Sequence, residues 1–279
     1  MIWVKGESLG KGELVGMTQT EPLLAHTSNC VYCAARPLGV CGALGDGEAF
    51  RELRDSRRAV RILDAGLPIY RQGDPSGDLF NLVTGWVVQY QDLEDGRRQI
   101  LRFLVPGALF GYEPTGVKGM CHGAEALTNA SLCVVPAARM TELRHRHPAF
   151  NERFVWMLER DSHLAFDHMM SLGQRDARER VAHLLLELAV RSTGRLPAAR
   201  GEVFKIPLNQ PLIAEATGLT SIHVNRMLRK LREDDILDFH HGRLTVFDPE
   251  RLVELAGVSE AMLALWSRAS QPMDEALSA

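Results

Sequence analysis

A chain of 279 residues, 46% of them hydrophobic, is long enough for two domains with cores of their own. Its net charge of −3 excludes a nonspecific polycation. No secretory apolar core or membrane-length run stands out, so the expected compartment is the cytoplasm. There, five cysteines point to metal binding, redox sensing or inert burial before structural disulfides.

Residues 1–27 are rich in glycine and polar side chains and lack periodicity, which predicts a flexible N-terminus. The segment 28–148 then opens on Cys30, Cys33 and Cys41, with Pro37, Gly39 and Gly42 breaking any regular helix across them. A short helix near 47–54 is expected to lead out of this loop. From 60 to 136 the chain reads as all-β. Apolar segments at 79–83, 86–90, 99–103 and 132–135 are separated by turn signals at Gln72-Gly73-Asp74-Pro75 and Glu94-Asp95-Gly96. Gly85, Gly96 and Gly107 recur at equal spacing, as in an antiparallel β-roll turning its corners. A solenoid repeat is the alternative, but the segments share little beyond glycine. Two further cysteines, Cys121 and Cys133, fall in this region.

Residues 149–174 predict one long helix with an apolar stripe through Phe154, Met157, Leu158, Leu164, Ala165, Met169 and Leu172. Such a stripe packs either on its own barrel or on a second copy. The copy is favoured, because helix-turn-helix proteins bind palindromic sites as pairs. The expected dimer contacts are Phe154, Leu158, Leu164, Ala165, Asp167 and Leu172. Asp161 and Asp167 lie on or near the stripe, where an unpaired carboxylate would weaken association.

Residues 175–250 predict a winged helix-turn-helix. After a helix at 181–190, a polar loop and a strand at 203–206, the stretch 212–231 reads as two helices about a tight corner. Ile213 and Ala214 face inward, Gly218 supplies the corner, and Thr220 caps the second helix. Val224, Met227, Leu228 and Leu231 share one face; Ser221, Ile222, His223, Asn225, Arg226, Arg229 and Lys230 make the other. A solvated helical hairpin is the alternative reading. The strand–turn–strand at 236–247, turning at His240-His241-Gly242, is a wing and favours double-stranded DNA. Residues 251–279 predict a further helix and a polar tail.

A β-roll, long helix and winged helix-turn-helix in this order resemble the CRP/FNR superfamily of bacterial transcription regulators, over about 28–250. The resemblance is carried by Gly85 and the strand after it, by 99–103 leading into Pro106-Gly107-Ala108-Leu109-Phe110-Gly111, and by the helix-turn-helix. It implies an α+β chain: an N-terminal antiparallel β-roll like a cyclic-nucleotide-binding domain, a dimerisation helix and a C-terminal DNA reader. Where cyclic-nucleotide binders of the superfamily place an Arg-Ser pair, this sequence has His122-Gly123, so a cyclic phosphate loses its bidentate partner and none is expected.

The cysteines resemble the oxygen-responsive FNR branch, which implies a 4Fe–4S cluster on Cys30, Cys33, Cys41 and Cys133. Arg36 is expected to offset its charge, with Pro37, Leu38 and Val40 as its shield. The gap between Cys33 and Cys41 is longer than in the best-known FNR. Cys121 is an extra thiol that could replace Cys133 or lie inert, and four thiolates could instead hold zinc. A same-fold sensor of haem-bound gas or of thiol redox state is the other alternative. The family's Glu-x-x-Ser-Arg appears as Ile222-His223-Val224-Asn225-Arg226, retaining only the arginine, with guanine as its expected partner. The resemblance further implies a homodimer on a palindromic operator and an RNA polymerase contact in the loop 92–98. It also implies an aspartate, at Asp167, that keeps cluster-free copies apart. His122, His145 and His147 are expected at the surface. No nucleotide-binding glycine fingerprint, paired carboxylates or catalytic triad spacing is found, so no enzyme is expected.

Overall fold

The computed structural model describes residues 30–75, 77–113 and 118–267, so the expected flexible stretch 1–27 and the end of the polar tail lie outside the described residues. Two short 3-10 turns, Cys30–Tyr32 and Val40–Ala43, frame the cysteine loop, and α1 (Glu48–Asp55) leads out of it.

Eight strands follow: β1 (Ala59–Leu63), β2 (Pro68–Tyr70), β3 (Asp78–Thr84), β4 (Val87–Asp92), β5 (Arg98–Leu104), β6 (Leu109–Phe110), β7 (Gly123–Ala126) and β8 (Ala130–Pro136). They form two antiparallel sheets in the orders β1-β8-β3-β6 and β2-β7-β4-β5. This is the expected β-roll, with Gly85, Gly96 and Gly107 all at positive φ in its corners. Leu82, Leu104, Ala126 and Leu132 fill the interior, where Phe80 stacks on Phe110 at 5.4 Å and on Tyr70 at 5.7 Å. β3 is buried on both faces, because the cysteine loop and the following helices cover its outer side.

A helix absent from the sequence reading, α2 (Ala137–Arg146), comes before α3 (Pro148–Gln174). His147 ends α2, and Pro148 opens α3, the position at which its missing N–H costs nothing. The second module comprises α4 (Ala177–Thr193), β9 (Glu202–Lys205), α5 (Gln210–Thr217), α6 (Ser221–Glu233), β10 (Leu237–His240) and β11 (Arg243–Val246). A capping box between Asp176 and Glu179 starts α4, and Gly194 ends it in the left-handed region. The chain continues into α7 (Pro249–Ala256) and α8 (Glu260–Ser267), and both pack into the same core. Its edge therefore lies beyond residue 250: Leu252, Ala256 and Trp266 are all fully buried.

The stripe on α3 does not form one face. Phe154, with Phe150 and Met157, is buried in the core that joins the barrel to the cysteine loop, and Leu158 packs against that core. Leu164 packs on the second module, and Leu172 is half-buried beside Gly218. Of the expected dimer contacts, only Ala165 is exposed. The face turned to solvent instead carries Val155, Phe166 (59% exposed), Met169 (62%) and Met170.

Candidate DNA-binding surface and cysteine pocket

The helix-turn-helix forms from local signals. Asn209 caps α5 by accepting from the Leu212 N–H, and Gly218 turns the corner at φ +67°. Thr220 Oγ1 then accepts from the His223 N–H at 3.2 Å, starting α6. Val224, Met227, Leu228 and Leu231 are buried, as the periodicity predicts. The other face holds Ile222 (76% exposed), Asn225, Arg226, Arg229 and Lys230 in solvent, with Ser221 and His223 half-exposed. Arg229 pairs with Glu233 at 3.4 Å, whereas Arg226 and Lys230 enter no ion pair among the described residues. The wing is a hairpin in which β11 lies between β10 and β9. His241 (φ 48°) and Gly242 (φ 72°) make its tight turn, in the conformation that matches strand twist. It presents His240, His241 and Arg243 beside α6, and the sequence reading missed these as surface candidates. The signal that would have found them is the turn itself.

Cys30, Cys41 and Cys133 line one pocket with Val40, Phe50, Leu53, Leu79, Leu109, Val135 and Met140. Cys33 stands close enough to feel Cys30, Cys41 and Cys133 electrostatically. Burial, and then the neighbouring cysteines, push the Cys41 thiol up to about 12. Burial also raises Cys33 and Cys133. Cys33, Cys41 and Cys133 thus keep their protons near neutrality, and a metal bound by them must displace those protons. Cys121 is exposed, its N–H donates to Glu113, and it does not line this pocket. Among the described residues no three of His, Cys, Asp or Glu are gathered tightly enough for a single metal ion. Tetrahedral zinc needs its sulfurs about 3.8 Å apart, from Zn–S bonds of about 2.3 Å. Asn81, opposite Cys133 on β3, lines the pocket with a buried Oδ1 that has no hydrogen-bond partner.

The loop carrying three of these cysteines lies hard against the barrel. A Cβ at Gly39 would fall 2.8 Å from Asn81 Oδ1, and one at Gly107 would fall 2.5 Å from Leu38 Cβ. Arg153 of α3 reaches into the loop and donates to Leu38 O (3.2 Å) and Gly39 O (3.4 Å). Arg36 acts on the Cys41 thiol electrostatically, lowering it, while it pairs with Asp46 at 2.8 Å, donates to Leu44 O and lies over the Phe50 ring. Of the expected shield, Val40 lines the pocket while Pro37 is exposed.

Both aspartates of α3 are paired within their own chain. Asp161 meets Arg102 at 2.8 Å and accepts from Tyr112 at 3.1 Å. Asp167 accepts from His183 at 2.7 Å and from Arg175 at 3.2 Å, so it is turned inward and cannot present a bare charge to a second copy. Burial by itself would raise its carboxyl; the His183 hydrogen bond and the charges of His183 and Arg175 outweigh that and hold it below the usual carboxylate range. Arg175 also donates to Ala256 O and Gly257 O, and the His183 ring bonds Ala256 O. Trp266 meets His183 edge-on at 5.1 Å, and Arg160 of α3 donates to Leu265 O at 2.8 Å. The last two helices therefore clasp α3 to α4.

His122 is half-buried: it accepts from Gln89 and bonds Tyr70 at 3.0 Å, and burial lowers its imidazole below the usual histidine value. His147 is half-buried against Glu52 at 2.9 Å, and only His145 is exposed as expected. The guanidinium that acts on His122, that of Arg102, is committed to Asp161 at 2.8 Å.

Residues 60–147 match the cyclic nucleotide-binding domain family and residues 179–255 the Crp-like helix-turn-helix domain family. The nitrogen fixation regulation protein FixK of Bradyrhizobium diazoefficiens is 31% identical over 229 residues, 81% of this chain and 93% of that one. The transcriptional activator protein FnrL of Cereibacter sphaeroides is 29% identical over 239 residues, 85% of this chain and 94% of its own length. The solved structure of FixK2 from Bradyrhizobium japonicum aligns with a TM-score of 0.64 at 29% identity, covering 72% of this chain and 98% of that one.

Proposed function

The chain belongs to the CRP/FNR family of transcription regulators, and from that premise we propose that it reads oxygen through a 4Fe–4S cluster held by Cys30, Cys33, Cys41 and Cys133. It is a DNA-binding regulator and not an enzyme. Family membership leaves the sensed signal open. The reading rests on one observation: Cys30 and Cys41 from the loop and Cys133 from the barrel wall line a single apolar pocket, with Cys33 near enough to act on all three electrostatically. The unpartnered Asn81 amide fits a guest there, since its two ends are interchangeable in position and its N–H can face sulfur. When bound, the cluster supplies an oxygen-labile centre. The chain's own residues do the rest. Thiolate ligation fixes the loop, and Arg153, Phe150 and Phe154 carry its position to α3. With Arg102 committed to Asp161, no cyclic nucleotide is part of this reading.

The cluster-loaded form binds a palindromic operator as a homodimer. Its α6 enters the major groove of each half-site, and Arg226 reads guanine there. Arg226→Ala lowers operator affinity by about 1–3 kcal/mol and relaxes preference at one base pair. Lys230→Ala weakens all sequences evenly and flattens the salt dependence; fluorescence anisotropy across a salt series separates the two. The two copies meet on the exposed face of α3. Phe166→Asp therefore yields a folded monomer in sedimentation, whereas Phe154→Asp, in the core, loses fold before assembly. The loop 92–98 between β4 and β5 is the proposed RNA polymerase contact. Next to the turn, Gln99 donates to Ala216 O of α5 at 3.4 Å, and the tip at Glu94 and Asp95 faces solvent. The cytoplasm is the proposed compartment, and no described helix is long and apolar enough to cross a membrane.

Iron and acid-labile sulfide analysis of anaerobically purified protein tests the reading. About four of each per chain are expected. Cys121→Ser keeps them and Cys41→Ser loses them. A zinc-loaded protein without sulfide would overturn it.

A further inference from the structure

Placing a cluster and four thiolates in the cysteine pocket puts net negative charge among Val40, Phe50, Leu79, Leu109 and Val135, a setting in which an uncompensated charge is costly. No carboxylate lines the pocket, and two arginines do, Arg54 and Arg57. Arg54 is engaged with Asp55 at 2.9 Å and half in solvent, so its field is largely spent outside. Arg36, the arginine nearest in sequence to the loop cysteines, is held by Asp46. Arg57 differs: its Nη1 lies 3.9 Å from Cys133 Sγ, within the distance at which N–H donates to sulfur. Its placement is fixed by backbone. The Arg57 N–H closes the end of α1 on Arg54 O, and the next N–H, that of Arg58, bonds Val134 O at 2.8 Å. The residue is thereby pinned alongside the strand that carries Cys133.

We infer that Arg57 is the positioning counter-charge of the cysteine pocket, and that its guanidinium sets the reduction potential and the lifetime in oxygen of the cluster held there. This rests on the cluster reading above. The physical reason is direct. A fixed positive charge a few ångströms from the sulfurs favours the more negative, reduced state over the oxidised one. Removing it makes reduction harder and loss of an electron to oxygen easier. Arg57 touches a ligand and not the reacting irons, so its effect runs through Cys133.

The test uses the full chain, reconstituted anaerobically, as wild type, Arg57→Gln and Arg57→Lys, with circular dichroism of the empty proteins to confirm the fold. The readouts are iron and sulfide content, the midpoint of a redox titration, and the half-life of the visible absorption in air. The glutamine variant is expected to shift to a more negative midpoint and to lose its colour on the order of tenfold faster. The lysine variant, keeping the charge, is expected to recover most of both. Identical midpoints and half-lives for wild type and Arg57→Gln would overturn the inference while leaving the cluster in place. Failure of both variants to load, with folds intact, would overturn it as well, since shape and not charge would then be what matters. A wild type that takes up no iron and sulfide would instead bring down the cluster reading itself.

Discussion

Asp167→Ala is expected to destabilise the protein by about 3 kcal/mol, measured by urea denaturation of the full chain. The substitution removes the acceptor shared by two buried donors, Arg175 and His183, and leaves the Arg175 charge without a counter-ion. Its pH signature follows from the direction of the shift. The folded carboxyl lies below its unfolded value, so its contribution is complete above about pH 4. It is lost as pH falls through the depressed value. Wild type and variant should therefore converge in acid and separate toward neutrality. A constant difference across that range would show that Asp167 acts by packing alone. Asp167→Asn, which keeps shape and one acceptor, is expected to lose less.

Trp266→Ala is expected to cost more, about 3–5 kcal/mol. The indole is fully buried at the meeting of α4 and α8 and supports His183 edge-on, so truncation opens a cavity under the Asp167 cluster. Near-ultraviolet circular dichroism and chemical denaturation both report it. The second consequence is functional. With the clasp loosened, Arg160 loses the ordered Leu265 carbonyl, and the reader is less firmly oriented on α3. Operator affinity should fall even though Trp266 is remote from the exposed face of α6. An unchanged affinity in a destabilised protein would confine the last helix to stability.

How much of this was legible in the residues depends on how local the signal is. The helix-turn-helix was read to the side chain, because Gly218, the Thr220 cap and the spacing from Val224 to Leu231 act within a few residues of each other. The strands at β3, β4, β5 and β8 were also visible. β7, Gly123–Ala126, was not, since it is made of Gly, Ala and Glu and exists only through its neighbours. α2 has no side-chain N-cap to announce it. On α3 the periodicity was real but ambiguous. One helix serves the barrel through Phe154, the reader through Leu164 and Asp167, and solvent through Phe166 and Met169. A stripe in sequence does not say which partner each residue meets. Three of the four cysteines that the resemblance implied line one pocket, whereas the cation beside Cys133 was not read. Arg36 is close along the chain and acts on Cys41; Arg57 is distant along the chain and is brought to Cys133 by the pairing of β1 with β8.

The hold of Arg153 on two loop carbonyls has a mechanical consequence. It grips α3 in its second turn, while Asp167 and Arg175 fasten the reader at the far end of the same 27-residue helix. That rod is about 40 Å long. A tilt of about 5° at the gripped end displaces the other by about 3.5 Å, close to the spacing of successive base pairs. A slight change in how the loop sits is thus enough to slide a reading head by one rung of the ladder it reads.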